Sequence, residues 1–402
     1  MTHRQSQFHH YIPRFILKTF ADNFTLATNT EFIANNSTVF KATDPDVQAR
    51  NNSHRRQPDY YINLYRAKDH STVLSDIKRS YGLDDMYRDV TTDDCMKFEK
   101  LLAEMENASS TFIRSIWAGK DLELTRSQLS DMKKFLAIMM YRAEHRRSQY
   151  YDESFDMMTM LSIRKHMANK QIERVQDVWF DNLKWLIETP TKDIMEEYFK
   201  TTKTMDPMAI LREYNGPIHV VELMDFAHMA TNYVCIWEAE EGSEFILSEG
   251  CFGAFEGHMG ICFHNFFVVS PRYAIVLVNR QYMRGTMGMM GLRKSFFGEE
   301  LHANPETVYK NGPLPANFTE DDFSQDDVFK YRRIIVPKKD VYKVNGIFLD
   351  ARTKYLTYKS SVCMYKSLRY YDKVKETMFH THYDYSILKQ KLFADMNRTH
   401  AS

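Results

Sequence analysis

The chain has 402 residues, 44% of them hydrophobic and 26% charged, a balance that supplies a sizeable core and excludes disorder as the main state. Lys plus Arg equals Asp plus Glu at 53 each, so no global field draws the protein onto nucleic acid or an anionic membrane, and any such surface must be local. No stretch offers the roughly 20 apolar residues of a membrane span, and the opening MTHRQSQFHHY lacks a signal-peptide core, so a cytoplasmic or nuclear protein without membrane contact is expected.

The cysteines Cys95, Cys235, Cys251, Cys262 and Cys363 are odd in number and include no CxxC pair. They read as reduced, mostly buried thiols. In chain order, the segment HHYIPRFILKTFADNF from His9 places Phe15, Ile16, Thr19 and Phe20 at helical spacing after Pro13, which predicts a short helix with proline in its first turn. A polar stretch follows, with a weak strand at STVFKAT, then a strand at DYYINLYRA and a turn-bearing connection at YGLDDMYRD.

From Asp93 to Gly119 the apolar residues Phe98, Leu101, Leu102, Met105, Phe112, Ile113 and Ile116 recur at three and four, with Asp93 and Asp94 as caps. A second helix is expected from Thr125 to Tyr151, and further helical patterns over 154–188 and 191–214. The pattern then changes. NYVCIWEAEEGSEFILSEG reads as a hairpin, FFVVSPRYAIVLVN as two buried strands joined at a proline, and the acidic, proline-bearing segment Glu299–Asp327 as a long surface loop. A strand near YRRIIVP, a helix over 338–358 and further short elements close the chain. The expected architecture is α+β: one large domain over 1–402, with an N-terminal box and strands (1–92), a mainly helical region (93–214) packed on a central, largely antiparallel sheet (231–298), the acidic loop (299–327), and a C-terminal strand and helix (328–402).

The box HHYIPRFILKTFAD resembles the opening of the domain of unknown function family numbered 4238, and EKLLAEMENASSTFIRSI, FLAIMMYRAEHRR, EFILSEG, FFVVSPRYAIVL and VNGIFLDARTKYLTY follow in that family's order. The resemblance implies an architecture and no activity. Where the family has Ser or Thr, Ser, Asp, Asn and Pro after the FIL strand, this chain has Ser248, Glu249 and Gly250.

The strongest chemical cluster is MYRAEHRR, where a continuous helix puts Arg142, His145 and Arg146 on one face. Guanidinium groups so arranged clamp phosphate or carboxylate; the competing reading is a solvated basic helix terminus. In the box, His10 supplies a general base or hydrogen-bond donor beside the arginines, or His10, Tyr11 and Arg14 tie the N-terminus down through hydrogen bonds. The strand ends carrying Ser248 and Glu249, and Ser270 and Arg272, place hydroxyls, an acid and a cation where α/β proteins build sites, or are ordinary turns. His258, Cys262 and His264 have even spacing but match no zinc motif, and no metal is assigned. The glycines 285, 288 and 291 match no phosphate-binding fingerprint. No cofactor is named by the sequence.

Two functions follow. In one, the protein binds or processes an anionic ligand such as a nucleotide, nucleic-acid end or phosphoester, with His10 and Glu249 catalytic and Arg14, Arg142, His145, Arg146, Ser248, Ser270 and Arg272 binding it. In this reading Arg142→Ala weakens binding and spares folding. In the other, it is a non-catalytic protein-interaction protein with a structural box, and the acidic loop recruits a protein partner.

Overall fold

The computed structural model describes residues 7–21, 60–87, 97–203, 206–258, 261–280, 294–315, 317, 319, 322–351 and 353–400. The weak strand at STVFKAT, the caps Asp93 and Asp94, Cys95 and the glycines 285, 288 and 291 lie outside them. The box forms β1 (Phe8–His10) and helix α1 (Arg14–Thr19), whose N-cap Pro13 holds φ −57°, a value its ring imposes. Strands β2 (Tyr61–Arg66), β3 (Ser71–Asp76) and β4 (Gly82–Asp84) follow, and β4 pairs antiparallel with β1, setting His10 opposite Gly82.

Helix α2 (Lys97–Trp117) buries Phe98, Leu102, Ile113 and Ile116, the stripe expected of its spacing. Strand β5 (Leu122–Thr125) enters helix α3 (Arg126–Arg142) through a capping box in which Thr125 and Gln128 exchange side-chain and backbone hydrogen bonds. The expected single helix to Tyr151 does not form. Backbone geometry turns extended at Ala143 (φ −56°, ψ 145°) and a new helix, α4 (Glu144–Tyr151), begins. Arg142 and Arg146 therefore do not share one helical face, because the i,i+4 relation holds only through unbroken helix.

Helices α5 (Met157–Lys170) and α6 (Val175–Glu188) divide the 154–188 pattern at Gln171, which is left-handed with φ 57°. Helices α7 (Thr191–Thr202), α8 (Pro207–Glu213) and α9 (Val220–Thr231) complete the helical region. No periodic signal marks α9 in the sequence. Its run VVELMDFAHMA is apolar at most positions, and a pattern without contrast carries no period.

Strands β6 (Tyr233–Ala239), β7 (Leu247–Ser248), β8 (Phe252–His258), β9 (Ile261–Val268), β10 (Tyr273–Val278), β11 (Glu306–Val308), β12 (Val328–Tyr331) and β13 (Arg333–Val336) lead to helix α10 (Lys338–Asp350), strand β14 (Tyr355–Tyr358) and helices α11 (Ser361–Met378) and α12 (Ser386–His400). The fold is α+β, and among the described residues mostly antiparallel pairing is spread over four sheets instead of one. The largest has the order β13-β6-β10-β9-β8, with β13 parallel to β6. Strand β10, YAIVLV, is buried throughout as its unbroken apolar run requires, and it pairs with β9 across the Ser270 turn as read from FFVVSPRYAIVL. The other sheets have the orders β3-β2-β14-β7, β11-β12-β5 and β1-β4.

Three expectations change here. Strands β6 and β7 form no hairpin, since β6 pairs with β10 and β13 while β7 pairs with β14. The helix expected to reach residue 358 stops at Asp350, and Tyr355 joins a strand. The acidic segment is partly built into the fold: Leu301 is buried and its carbonyl accepts the Trp237 indole N–H at 2.9 Å, while β11 pairs with β12.

One glycine matters structurally. At Gly253 the β8–β9 ladder bulges between Phe252 and Ala254, the residue holds φ +96°, and an added Cβ would lie 2.2 Å from Met140 Cγ. Gly253→Ala is expected to cost about 2 kcal/mol, read as a lowered urea midpoint at unchanged slope; an unchanged midpoint would show that the bulge accepts a side chain.

Candidate functional site

The box holds its two histidines on opposite faces of β1, as alternation in a strand demands. His9 is buried, its Nδ1 accepts the Tyr87 amide at 3.1 Å, and its Nε2 faces Glu99 at 3.5 Å. His10 donates Nε2–H to the Ile77 carbonyl at 2.9 Å. Burial lowers its pKa to about 4, with Arg14 and Arg142 adding to the effect against the Ile77 carbonyl, so the ring is neutral at pH 7.

Because the chain turns at Ala143, the Arg142 side chain points inward and is 1% exposed. Its guanidinium pairs with Glu106 of α2 at 2.6 Å, donates from Nε to the Tyr11 carbonyl at 3.2 Å, and lies over the Tyr87 ring. The next residue but one, Glu144, begins α4. Its Oε1 accepts the Lys354 ammonium at 2.9 Å, and its Oε2 is buried with no hydrogen-bond partner among the described residues.

Lys354 immediately precedes β14 and leads to Glu249. The turn after β7 is fixed by Ser248, whose Oγ accepts the Gly250 amide at 3.2 Å. It delivers Glu249, 4% exposed, with its oxygens accepting the backbone amides of Lys354 and Tyr355, the latter at 2.9 Å. Burial pushes the Glu249 carboxyl up to about 7, outweighing the lowering by those amides and by the Lys354 charge. The buried Tyr11 phenol is raised by desolvation first and then by the Glu249 charge, and the Tyr11 and Tyr81 rings meet edge to face at 6.2 Å. Tyr81 donates to Thr357 Oγ1 at 3.0 Å on β14. A carboxyl that titrates near neutrality, beside a phenol and an ammonium, has the makings of an acid–base centre.

Of the expected site residues, His10 feels the charges of Arg14 and Arg142, Arg142 holds the Tyr11 carbonyl, the Tyr11 phenol feels Glu249, and Ser248 shapes the Glu249 turn, while Arg14 is exposed. It does not bring in the others. His145 is exposed, and Arg146 is held by Glu222 at 2.7 Å and Asp225 at 3.0 Å, with the Tyr150 hydroxyl on the same Glu222 oxygen. Arg272 is paired with Glu238, which also takes Arg333, while Ser270 Oγ accepts the amides of Arg272 and Tyr273. Tyr11 ties the box down through its carbonyl, as one of the two expectations for the box has it, whereas Glu144 and Lys354 are not marked by the sequence. Glu144 and Lys354 stand inside the quoted stretches MYRAEHRR and LDARTKYLTY, but nothing local distinguishes them from solvated charges.

His258 ends β8 whereas Cys262 and His264 lie on β9, so the three do not share one strand. His264 is buried, with Nδ1 3.0 Å from Glu256 and Nε2 2.6 Å from His302 Nε2. Among the described residues no group of three or more His, Cys, Asp or Glu is placed to hold a metal ion. Cys235, Cys251, Cys262 and Cys363 are free thiols, and no helix among the described residues is long and apolar enough to cross a membrane.

The model of a family described as protein of unknown function (DUF4238) matches residues 9–361. No curated protein and no solved structure matches the chain.

Proposed function

The chain belongs to the DUF4238 family of proteins of unknown function, and from that premise we propose that the junction around Glu249 is an acid–base site acting on an anionic ligand. The observation that carries this reading is the chain of contacts around one buried carboxyl: the Lys354 and Tyr355 amides bond Glu249, Glu144 holds the Lys354 ammonium, and Tyr11, whose carbonyl takes Arg142, feels the Glu249 charge. In it, Glu249 transfers the proton and the exposed cations Lys354 and Arg14 meet the ligand's charge. His10, Arg142 and Ser248 position the box and the turn, while His145, Arg146, Ser270 and Arg272 serve other parts of the fold. The unpartnered Glu144 oxygen is the group left to accept a ligand hydrogen bond.

The test is a thermal-shift screen of nucleotides, short nucleic acids and small phosphorylated and carboxylated compounds. A ligand at about 100 times its Kd adds about 2.7 kcal/mol of stability. That increment is expected to vanish in Lys354→Ala and in Glu249→Gln. A screen without hits while its positive controls respond, or hits retained by both variants, overturns the reading. Glu249 also leaves a pH signature. Its folded pKa lies above its unfolded one, so its contribution is present below pH 4.5 and lost as pH rises through about 7. Between pH 4.5 and pH 8 the stability difference should move toward Glu249→Gln by about 2 kcal/mol, measured by urea unfolding.

One observation favours the rival reading, a non-catalytic interaction protein. Arg142, Arg146 and Arg272 are all neutralised by carboxylates of the chain itself. Under that reading the box is an internal brace and the 299–327 segment captures a protein partner.

A further inference from the structure

The segment from Lys359 to the end carries eight Lys and Arg against four Asp and Glu, so the remainder of this neutral chain is net acidic. Most of that positive charge sits on α11 and α12, an antiparallel pair that lies beyond the family-matched span yet is anchored to the core by Met364, Leu368, Tyr371 and Leu388. The two helices leave a cleft between them. Along α11, Lys366, Arg369 and Lys373 are spaced three and four and form one exposed stripe about 10 Å long. Among the described residues Arg369 and Lys373 make no ion pair or hydrogen bond. Lys389 of α12 faces them and is paired with Asp372, the one acid lining the cleft.

At the end of the same cleft two aromatic rings meet, Phe393 exposed and Tyr365 half-buried against the core. Tyr365 and Phe393 lie 6.1 Å apart, tilted by 34°, and Phe393 is 52% exposed. Exposed aromatics are costly to leave in water, and here they sit one helical turn from uncompensated cations. Cations that follow a phosphate backbone, with rings on which unpaired bases stack, are the combination that binds single strands without reading their sequence.

We propose that the α11–α12 cleft binds single-stranded nucleic acid, with Arg369, Lys373 and Lys389 on phosphates and the Tyr365–Phe393 pair stacking a base. A polymer is favoured over a single nucleotide because the cationic stripe runs along the helix away from the ring pair for about 10 Å instead of closing around one phosphate. The inference stands apart from the Glu249 junction, which shares no residue with the cleft.

The experiment is fluorescence anisotropy of the full chain with a labelled 12-nucleotide single strand, its duplex and a free mononucleotide competitor, at several salt concentrations. Single-strand binding should fall with salt with a log–log slope of about −2. Arg369→Glu combined with Lys373→Glu should weaken it at least about 30-fold and flatten the slope. Phe393→Ala should weaken it about 10-fold and leave the slope unchanged. Both variants alter exposed positions, and unchanged circular dichroism confirms folding. Lys192→Glu on α7, an equally exposed charge reversal outside both the cleft and the Glu249 junction, should bind the strand like the parent, which ties the loss to the cleft. Equal affinity of charge-reversed and parent proteins, equal binding of duplex and single strand, or full competition by the mononucleotide at comparable concentration would each overturn it.

Discussion

Arg142→Ala is expected to lose about 3 kcal/mol of stability, the opposite of what the sequence suggests for a charge near a helix end. The guanidinium is fully buried, so water cannot replace it. Its removal leaves the Glu106 carboxylate without its cation, the Tyr11 carbonyl without its donor and the Tyr87 ring without its cover. Breaking a buried pair by deleting one partner costs more than the pair itself contributes, because the group left behind stays desolvated. Glu106 is 25% exposed, which lets water relieve part of the loss and sets the figure at the lower end. Arg142→Lys should recover only a fraction, since one ammonium cannot reproduce the planar fork that reaches both a carboxylate and a carbonyl. Urea unfolding of both variants gives the answer, and Arg142→Ala with a parental midpoint would show the side chain to be a bystander.

Acid should destabilise the helical region progressively from pH 6.5 downward. His219 is buried against Ser162, with Nε2 at 3.1 Å from its hydroxyl and Nδ1 unpartnered among the described residues; His166 meets it edge to face at 6.0 Å. Burial lowers His219 to about 3, with His166 and Arg146 adding to it, and lowers His166 to about 4, with Lys170 adding and Asp181 opposing. Both folded values lie below the unfolded 6.5, so the unfolded chain binds more protons across the gap. The stability from neutral imidazoles is therefore complete above pH 6.5 and lost as pH falls through 4 toward 3. A loss of about 2 kcal/mol per histidine is expected. Glu249 runs in the opposite sense, so the slope is compared between proteins: His166→Gln with His219→Gln should flatten unfolding free energy between pH 6.5 and 4. Parallel pH profiles for variant and parent would contradict the assignment.

Legibility followed contrast in the sequence. Helix α2 was readable because Phe98, Leu102, Ile113 and Ile116 alternate with Lys and Glu, and strand β10 because YAIVLV is apolar without interruption. Helix α9 and the break at Ala143 were not, the first for want of contrast and the second because alanine itself favours helix. In the candidate site, Glu249 and Arg142 could be named from their neighbours in sequence, but their roles could not. Arg142 becomes a buried brace through Glu106, which is 36 positions earlier, and Glu249 titrates near 7 because its burial outweighs the lowering by the Lys354 and Tyr355 amides, which come from more than 100 positions away.

By itself, the sequence determined the α+β class, the box, most helices and strands, the free thiols and the kinship of residues 9–361. These rest on periodicity, composition and local spacing, which are short-range properties of the chain. Packing of distant segments is what commits the arginines of the expected clamp to internal carboxylates, pairs the described strands into four sheets instead of one, and gathers Tyr11, Glu144 and Lys354 around Glu249. Pairing of charges and burial of a carboxyl depend on contacts between distant segments, and desolvation, which sets both, exists only once those segments have packed.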